Sequence, residues 1–415
     1  MPAVKRKQSV GSDVGGREGD HIAPFASTSI VSLTPEERAQ WNGFCEIESE
    51  PAFFNAMLRE FGVEGVRVQE VVSLDKELDF MLHKPIYGLI FLFHWHEDDP
   101  HKQEMSCPEH IWFANQTSDY ACATVALLNT INNAEGIELG EELKHFKEFT
   151  KTFTPALRGI ALNNFEFVKR VHNSFARKMD ILSADLQLKN EATERRRASK
   201  NVGENDDRSE SGFHFIAFVP VKGEVWKFDG LERQPQNIGR HGDDWLNVAR
   251  PELQARMAAY ADDEIEFSLL SLARDPLIDL RARLCSNIKT LTSIDAHLAR
   301  VGVDIESSDS EKGTLRGPDA SYGITQSMLD KEDMTNALKT INASTSNDEL
   351  TKYRDKIAEE QRDIRESITS EQQTRNKEEE YVNQRRHDYR PPVEKWIRIL
   401  AHKGNIQQLI AEADS

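Results

Sequence analysis

The chain has 415 residues, which is enough for two or three domains and a substantial core. Only 38% of the residues are hydrophobic and 29% are charged, so we expect part of the length to be tail, linker or exposed helix. The net charge of −18 argues against nucleic acid as a general partner and favours partners with basic surfaces.

Cysteine usage and hydropathy restrict the compartment. The four cysteines are widely spaced and include no CxxC pair: Cys45, Cys107, Cys122 and Cys285. This pattern indicates neither a disulfide framework nor a zinc site, and it is typical of a reducing compartment. No apolar run approaches membrane-spanning length and the N-terminus has no signal-peptide core, so we expect a cytoplasmic or nuclear protein that contacts no membrane.

The first 33 residues are rich in Gly, Ser and charge, which predicts a disordered tail over 1–33, followed by a globular domain over 34–303. The expected elements, in chain order, are helices beginning at Thr34 and Pro51, strands over 66–72 and 88–95, helices over 138–151 and 155–187, a hairpin over 213–230, a helix over 245–260, a strand over 264–272 and a helix over 276–301. Three histidines after the second strand lack a Cys or carboxylate at ligand spacing, which indicates a loop rather than a metal site: His94, His96 and His101.

The stretch 111–133 carries the most chemical information. After Cys122, apolar residues recur every three positions, at Val125, Leu128 and Ile131, which predicts a buried helix with Cys122 in its first turn. The free N–H groups at a helix start favour an anion, and therefore a thiolate. Gln116 is a neutral donor six residues upstream that can serve an oxyanion at the same helix start. Alone, the pattern also fits a cysteine that only fills space in the core.

Residues 213–230 predict a hairpin that turns at Lys222 and Gly223. With an even loop, Asp229 lies opposite Ile216 and diagonal to His214, whereas a shift of one residue places Asp229 directly opposite His214. Either register brings the imidazole of His214 beside the carboxylate of Asp229. The carboxylate can then hold the tautomer and orientation of the ring, and the second ring nitrogen stays available to a thiol. The alternative is a surface histidine and an unrelated aspartate near a turn.

Three further stretches differ in composition. Residues 189–212 are polar and predict a mobile loop inside the domain, whereas 304–347 are rich in Ser, Asp, Gly and Thr and predict a linker. Residues 348–415 predict a helical extension, which begins with a long helix and ends in a short amphipathic module. The long helix has apolar residues at intervals of seven: Leu350, Ile357 and Ile364. This region is too small to be stable alone, so its apolar faces must cover each other, the globular domain or a partner.

Together these stretches resemble the ubiquitin C-terminal hydrolase (UCH) family of cysteine deubiquitinases, specifically its long branch with a C-terminal extension. The resemblance covers most of 36–300 and resumes at 349–413. It is carried by FCEIESEPAFFNAMLREFGVEGVRVQEV, KPIYGLIFLFHW, NQTSDYACATVALLN and FHFIAFVPVKGEVWKFDGLERQPQNIG. It implies an α+β, papain-like catalytic domain with a central antiparallel sheet flanked by helices, followed by a C-terminal helical extension.

The resemblance also implies roles for individual residues. By position, the family's nucleophile falls on Cys122, its oxyanion-hole glutamine on Gln116, its general base on His214 and its orienting aspartate on Asp229. The implied activity is cofactor-free, thiol-dependent hydrolysis of bonds to the C-terminal glycine of ubiquitin. The loop 189–212 falls where the family has its active-site crossover loop.

The resemblance implies partners and shows one departure. The implied partners are ubiquitin and its conjugates. In addition, residues 384–411 resemble the extension with which long-branch members bind a DEUBAD-domain partner, in a proteasomal ubiquitin receptor or a chromatin complex. The family usually has Asn two residues before the nucleophile, whereas this chain has Tyr120, which cannot supply the same amide contacts. The alternatives to an active deubiquitinase are therefore a catalytically silent ubiquitin-binding scaffold and a cysteine protease for other substrates.

Overall fold

The computed structural model describes residues 41, 43–74, 82–94, 99–177, 180, 186, 213–260, 267–302, 314–332, 346–387 and 389–403. Predictions for the tail 1–33, the helix beginning at Thr34 and the loop 189–212 lie outside these residues, as does much of the linker 304–347. The chain divides into two compact units, residues 32–388 and residues 1–31 together with 389–415.

The described helices and strands follow the predicted order closely. In chain order they are α1 (Pro51–Glu60), β1 (Val66–Glu70), β2 (Ile86–His94), α2 (Cys122–Ile131), α3 (Glu141–Phe149), α4 (Pro155–Asn163), α5 (Glu166–His172), β3 (Phe213–Val221), β4 (Glu224–Asp229), β5 (Gln236–Arg240), α6 (Leu246–Tyr260), β6 (Ser268–Arg274), α7 (Pro276–Arg300), α8 (Gln326–Lys331), α9 (Asn347–Arg386) and α10 (Arg390–His402).

Six strands form one antiparallel sheet in the order β1-β6-β2-β3-β4-β5. β2 is an inner strand, and its neighbouring residues Ile90 and Phe91 belong to hydrophobic clusters on opposite faces, as its continuous apolar run predicts. β3 and β4 form the predicted hairpin, with Ile216 opposite Asp229. The predicted α+β fold, a central antiparallel sheet flanked by helices, is therefore confirmed.

Each face of the sheet carries a core. On one face, α1 and α2 pack against Phe215 and Ala217 of β3, and on the other face α6 covers Ile216 and Phe218. Successive residues of a strand point to opposite faces, so burial on both sides encloses nearly the whole of β3. This packing fixes the end of β3, where His214 lies, inside the domain.

The single helix predicted over 155–187 is wrong. The chain instead forms α4 and α5, which are separated at Asn164 and Phe165. The carbonyl of Ile160 accepts hydrogen bonds both from the side chain of Asn164 at 2.8 Å and from its backbone N–H at 3.2 Å, so Asn164 closes the end of α4. The turn brings the ring of Phe165 onto the ring of Phe146, with centroids 4.4 Å apart. The stacked rings stabilise a turn between α4 and α5, where the sequence predicts one continuous helix.

The long helix α9 belongs to the same compact unit as the sheet. Its predicted seam residues Leu350, Ile357 and Ile364 are all buried. Leu350 and Ile364 lie in hydrophobic clusters with side chains of α7. The globular domain thus covers this apolar seam, which is one of the three outcomes that the composition of the extension allowed.

Part of the predicted linker is packed as well. Residues 314–332 contain α8, and three of their apolar side chains belong to a cluster with α7 and α9: Leu315, Ile324 and Leu329. Gln361 of α9 accepts a hydrogen bond from the N–H of Leu315 at 2.7 Å and donates to its carbonyl at 3.1 Å. The linker prediction is therefore wrong for 314–332, because these side chains gain a buried surface along two helices.

A buried charge cluster fixes α9 to the edge of the sheet. Arg67 of β1 is 8% exposed, and its guanidinium lies 3.0 Å from Glu371 and 2.8 Å from Glu378 of α9. Burial raises the pKa of Glu378, and the charge of Arg67 opposes that shift. Both carboxylates thus share one buried cation, while Glu371 also pairs with Arg375 at 3.1 Å and Glu378 accepts from Asn55 at 3.3 Å.

We predict that Arg67→Met lowers the free energy of unfolding by about 3–5 kcal/mol, because it removes the cation that Glu378 contacts and one of the two that Glu371 contacts. The matched control is Arg283→Met. Arg283 of α7 also pairs with a carboxylate of α9, Glu360, at 3.1 Å, but its side chain is 57% exposed. Its removal should cost about 1 kcal/mol or less. Urea unfolding of the two variants measures the difference, and equal destabilisation would contradict this account of the cluster.

Candidate active site

Cys122 is the first residue of α2, as the sequence predicts. Ala121 precedes it as the N-cap, and the carbonyl of Ala121 accepts a hydrogen bond from the N–H of Val125 at 2.9 Å. Cys122 is partly exposed, whereas every later residue of the helix is buried. The thiol therefore lies at a surface opening, next to N–H groups that have no partner within the helix.

Gln116 lies beside the first turns of α2. Its backbone N–H donates to the carbonyl of Gly230 at 2.8 Å, directly after the end of β4. A Cβ atom at Gly230 would lie 3.0 Å from Val125 Cγ1 and 3.1 Å from Gln116 Cβ. Gln116 and Val125 therefore meet at a point where only glycine leaves room. The Oε1 atom of Gln116 is buried and has no hydrogen-bond partner among the described residues.

The hairpin places His214 next to Asp229 in the first of the two predicted registers. Asp229 is opposite Ile216 and diagonal to His214, and His214 Nε2 lies 2.7 Å from Asp229 Oδ1. The same oxygen accepts from the N–H of Leu231 at 2.9 Å, which fixes the carboxylate. With Nε2 engaged by Asp229, Nδ1 is the ring nitrogen left for Cys122, which is one of the groups that raise the pKa of His214.

His214 is positively charged at neutral pH. Burial lowers its pKa, but hydrogen bonds to Asp229 and Cys122, together with the charges of both groups, raise the pKa to about 9. An imidazolium held against a thiol stabilises the thiolate, which is the reactive form of cysteine. The geometry and the electrostatics of the site thus favour the same ion pair.

Tyr120 occupies the position at which the sequence departs from the family pattern. Its φ angle is +60°, in the left-handed region that few residues other than Gly and Asn adopt readily. Asparagine suits this position because its short side chain tolerates the conformation, whereas tyrosine adopts it at a cost in backbone strain. The turn nevertheless forms, and it delivers Cys122 to the start of α2 beside His214.

His172 is a residue of this region that the sequence did not indicate. It is fully buried at the end of α5, and its Nδ1 lies 2.6 Å from the hydroxyl of Thr124, two residues after Cys122. Its Nε2 lies 2.7 Å from the carbonyl of Cys45. Burial lowers the pKa of His172 to about 4, so the neutral ring accepts from Thr124 and donates to Cys45. It thereby ties α2 to the segment before α1.

The histidines at and beyond the end of β2 form no cluster suited to a metal ion where the structure describes them, and His96 lies outside the described residues. No group of three or more His, Cys, Asp or Glu side chains among them is arranged to hold a metal ion. His101 lies in a short 3-10 turn whose backbone bonds to Asp99, and the ring of His94 packs edge-on against Phe213. Nor does any helix in the described part of the chain have the length and apolar character needed to cross a membrane.

Comparison with known proteins identifies the family. Residues 44–258 match the family model "Ubiquitin carboxyl-terminal hydrolase, family 1". The chain is 32% identical over 372 residues to ubiquitin carboxyl-terminal hydrolase isozyme L5 of Dictyostelium discoideum, an alignment that covers 89% of this chain and 95% of the relative. It is 38% identical over 233 residues to ubiquitin carboxyl-terminal hydrolase ubh-4 of Caenorhabditis elegans, covering 55% of this chain and 66% of the relative.

Two further proteins are similar over the catalytic region. Ubiquitin carboxyl-terminal hydrolase BAP1 of Xenopus tropicalis is 32% identical over 260 residues, 58% of this chain and 35% of the relative. The crystal structure of the Trichinella spiralis UCH37 catalytic domain bound to ubiquitin vinyl methyl ester has 31% identity and a TM-score of 0.45, covering 57% of this chain and 98% of that one. The family model and the Dictyostelium relative decide the assignment: the chain belongs to family 1 of the ubiquitin carboxyl-terminal hydrolases, as its sequence predicts.

Proposed function

We propose that this protein is a thiol-dependent hydrolase that cleaves bonds to the C-terminal glycine of ubiquitin, with Cys122 as its nucleophile. The observation that carries the proposal is the arrangement of three side chains in a member of this family. Cys122 begins a helix, it is one of the groups that raise the pKa of His214, and Asp229 binds Nε2 of the same imidazole at 2.7 Å. Such an arrangement is the nucleophile, base and orienting acid of a cysteine hydrolase.

The reaction follows from these positions. The thiolate of Cys122 attacks the carbonyl carbon of the terminal glycine, and the charge that develops on the oxygen is stabilised by the backbone N–H of Cys122 and the side-chain amide of Gln116. The imidazolium of His214 then gives its proton to the departing amine, leaving a thioester. In the second half, His214 takes a proton from water, the hydroxide attacks the thioester, and Cys122 departs as a thiolate that pairs again with the imidazolium.

Asp229 supports both halves of this reaction without exchanging a proton itself. It holds the ring so that Nδ1 faces Cys122, and its charge stabilises the imidazolium that exists before each transfer. The net charge of −18 supports a partner with a basic tail, such as the arginine-containing C-terminus of ubiquitin.

We also propose that α10 binds a DEUBAD-type partner, in the cytoplasm or the nucleus. The resemblance of residues 384–411 to the extension of long-branch relatives supports this assignment. So does the exposure of large apolar side chains along this single helix: Val393, Trp396, Ile397 and Ile399. Exposed apolar side chains of this number on one short helix are typical of an interaction surface.

The first prediction concerns the catalytic pair. Cys122→Ala and His214→Ala should each reduce hydrolysis of a ubiquitin C-terminal amide by about 10³-fold or more, because each removes one half of the nucleophile–base pair. Asp229→Asn should leave weak activity, since orientation and charge support alone are lost. Cys285→Ala, which changes a buried cysteine of α7 outside the site, is the control and should retain most of the kcat. Near wild-type turnover by Cys122→Ala would refute the proposed mechanism.

The second prediction concerns pH. Because the pKa of His214 is raised to about 9, the imidazolium is present below that pH and is lost as the pH rises through it, so kcat/KM should fall on the alkaline side with a midpoint near 9. Asp229→Asn removes a group that raises this pKa and leaves burial, which lowers it, so the midpoint should move to lower pH. Asp279→Asn, which affects only a surface pair with Arg274, should leave the midpoint in place. An unchanged midpoint in Asp229→Asn would show that another group controls the alkaline limb.

The third prediction concerns α10. Trp396→Glu should weaken binding of a DEUBAD-domain protein by at least about tenfold, because it places a charge on an apolar contact surface. Hydrolysis of a small ubiquitin C-terminal amide without the partner should stay unchanged. Glu394→Gln on the same helix alters only an exposed pair with Arg398 and serves as the control. Calorimetric titration gives the affinities, and equal binding by both variants would exclude this helix as the docking element.

A further inference from the structure

An extended segment, 111–116, lies along α2 and leads directly to Gln116. Two buried asparagines hold it from the helix side, each by two hydrogen bonds to one backbone unit. Asn129 accepts from the N–H of Ala114 at 2.9 Å and donates to its carbonyl at 3.2 Å. Asn133, in the turn that ends α2, accepts from the N–H of Trp112 at 2.8 Å and donates to its carbonyl at 2.6 Å. Each side-chain amide thus acts like a strand partner for the segment.

The spacing of the two asparagines matches the spacing of their targets. Four residues of α-helix rise about 6 Å, and two residues of extended chain rise about 6.6 Å. The helix and the segment run antiparallel, so Asn133 pairs with Trp112, and Asn129, four residues earlier, pairs with Ala114, two residues later. One more step of each kind pairs residue 125 with residue 116. Val125 and Gln116 do meet there, since both lie about 3 Å from the position of a Cβ atom on Gly230.

The opposite side of the segment is fixed as well. The guanidinium of Arg158, which is buried in α4, donates to the carbonyls of Ile111 and Phe113 at 3.1 and 3.4 Å. The N–H of Gln116 donates to the carbonyl of Gly230. The backbone of the segment is therefore bound from both sides. Asn129 is 0% exposed, so its hydrogen bonds are shielded from solvent.

We propose that Asn129 and Asn133 are positioning residues that set the register of segment 111–116 on α2, and that they thereby hold Gln116 at the place where the oxyanion forms. The inference rests on the proposed function, in which Gln116 stabilises that oxyanion. A slip of the segment by one residue would turn the side chain of Gln116 to the opposite face. Even a displacement of about 1 Å in such a group costs on the order of 100-fold in rate.

The test is a double-mutant cycle between Asn129→Leu and Gln116→Ala, read as kcat and KM for a ubiquitin C-terminal amide. Leucine has the same branched arrangement of four side-chain heavy atoms as asparagine but makes none of its hydrogen bonds. In the otherwise unaltered chain we expect Asn129→Leu to lower kcat by about 10- to 100-fold with KM changed less than about threefold. In the Gln116→Ala background the same substitution should lower kcat by less than about threefold, because its effect passes through Gln116.

Asn173→Leu is the matched control. Asn173 is also buried, and it also holds a backbone segment by two bonds, accepting from the N–H of Cys45 at 3.1 Å and donating to the carbonyl of Gly43 at 2.8 Å. Any loss of kcat that it causes should be the same with and without Gln116. Thermal unfolding is recorded first, and Asn133→Leu replaces Asn129→Leu if the latter does not fold.

The outcomes separate this inference from the function on which it rests. Equal losses of kcat from Asn129→Leu in both backgrounds would make Asn129 a merely structural residue and would overturn the positioning role, while the hydrolase assignment stands. Absence of hydrolysis by the unaltered chain would overturn both. Non-additive losses at Asn129, combined with additive losses at Asn173, establish the positioning role.

Discussion

The 2.7 Å contact between His214 and Asp229 is the interaction on which the proposed chemistry depends. Burial by itself would lower the pKa of His214 and favour the neutral form of its ring. The bonded carboxylate and the thiol reverse that tendency, so the ring is charged at neutral pH. Without this reversal, the placement of Cys122 at the start of a helix would yield a poorer nucleophile. Much of the fold serves to keep these three groups together.

Three kinds of constraint converge on that contact. The hairpin register brings Asp229 diagonal to His214, and hydrophobic clusters on both faces of the sheet keep the hairpin buried. Gly230 then allows the segment that carries Gln116 to approach α2. From the other side of α2, the neutral ring of His172 bonds to Thr124 and so anchors the first turn of the helix. Cys122 is thus held in place by elements that are far apart in the sequence.

The sequence predicted those parts of the site that local patterns determine. Apolar spacing located the start of α2 at Cys122, and turn residues fixed a hairpin whose first expected register is the one observed. Contacts between distant residues left no local pattern. His172 reaches Thr124 across 48 residues, and Arg67 reaches Glu378 across 311. The roles of Cys122, Gln116, His214 and Asp229 remain proposals that their geometry supports.

Average composition also gave a wrong prediction where a few apolar side chains decide the packing of a polar segment. Residues 314–332 belong to a polar stretch, yet Leu315, Ile324 and Leu329 are sufficient to pack that segment with α7 and α9. Asn129 of α2 and Asn133 of the turn after it show the opposite case, because their spacing of four is visible in the sequence. Two buried polar residues need partners, but the sequence alone does not say which backbone groups they bind.

The most direct test of the central claim is to react the protein with ubiquitin that carries a C-terminal electrophile and to map the modified residue by mass spectrometry. The account predicts a single adduct on Cys122, with no adduct in Cys122→Ala and strongly slowed formation in His214→Gln, which lacks the ring that stabilises the thiolate. Modification of Cys107 instead, or binding of the probe without any covalent adduct, would contradict it.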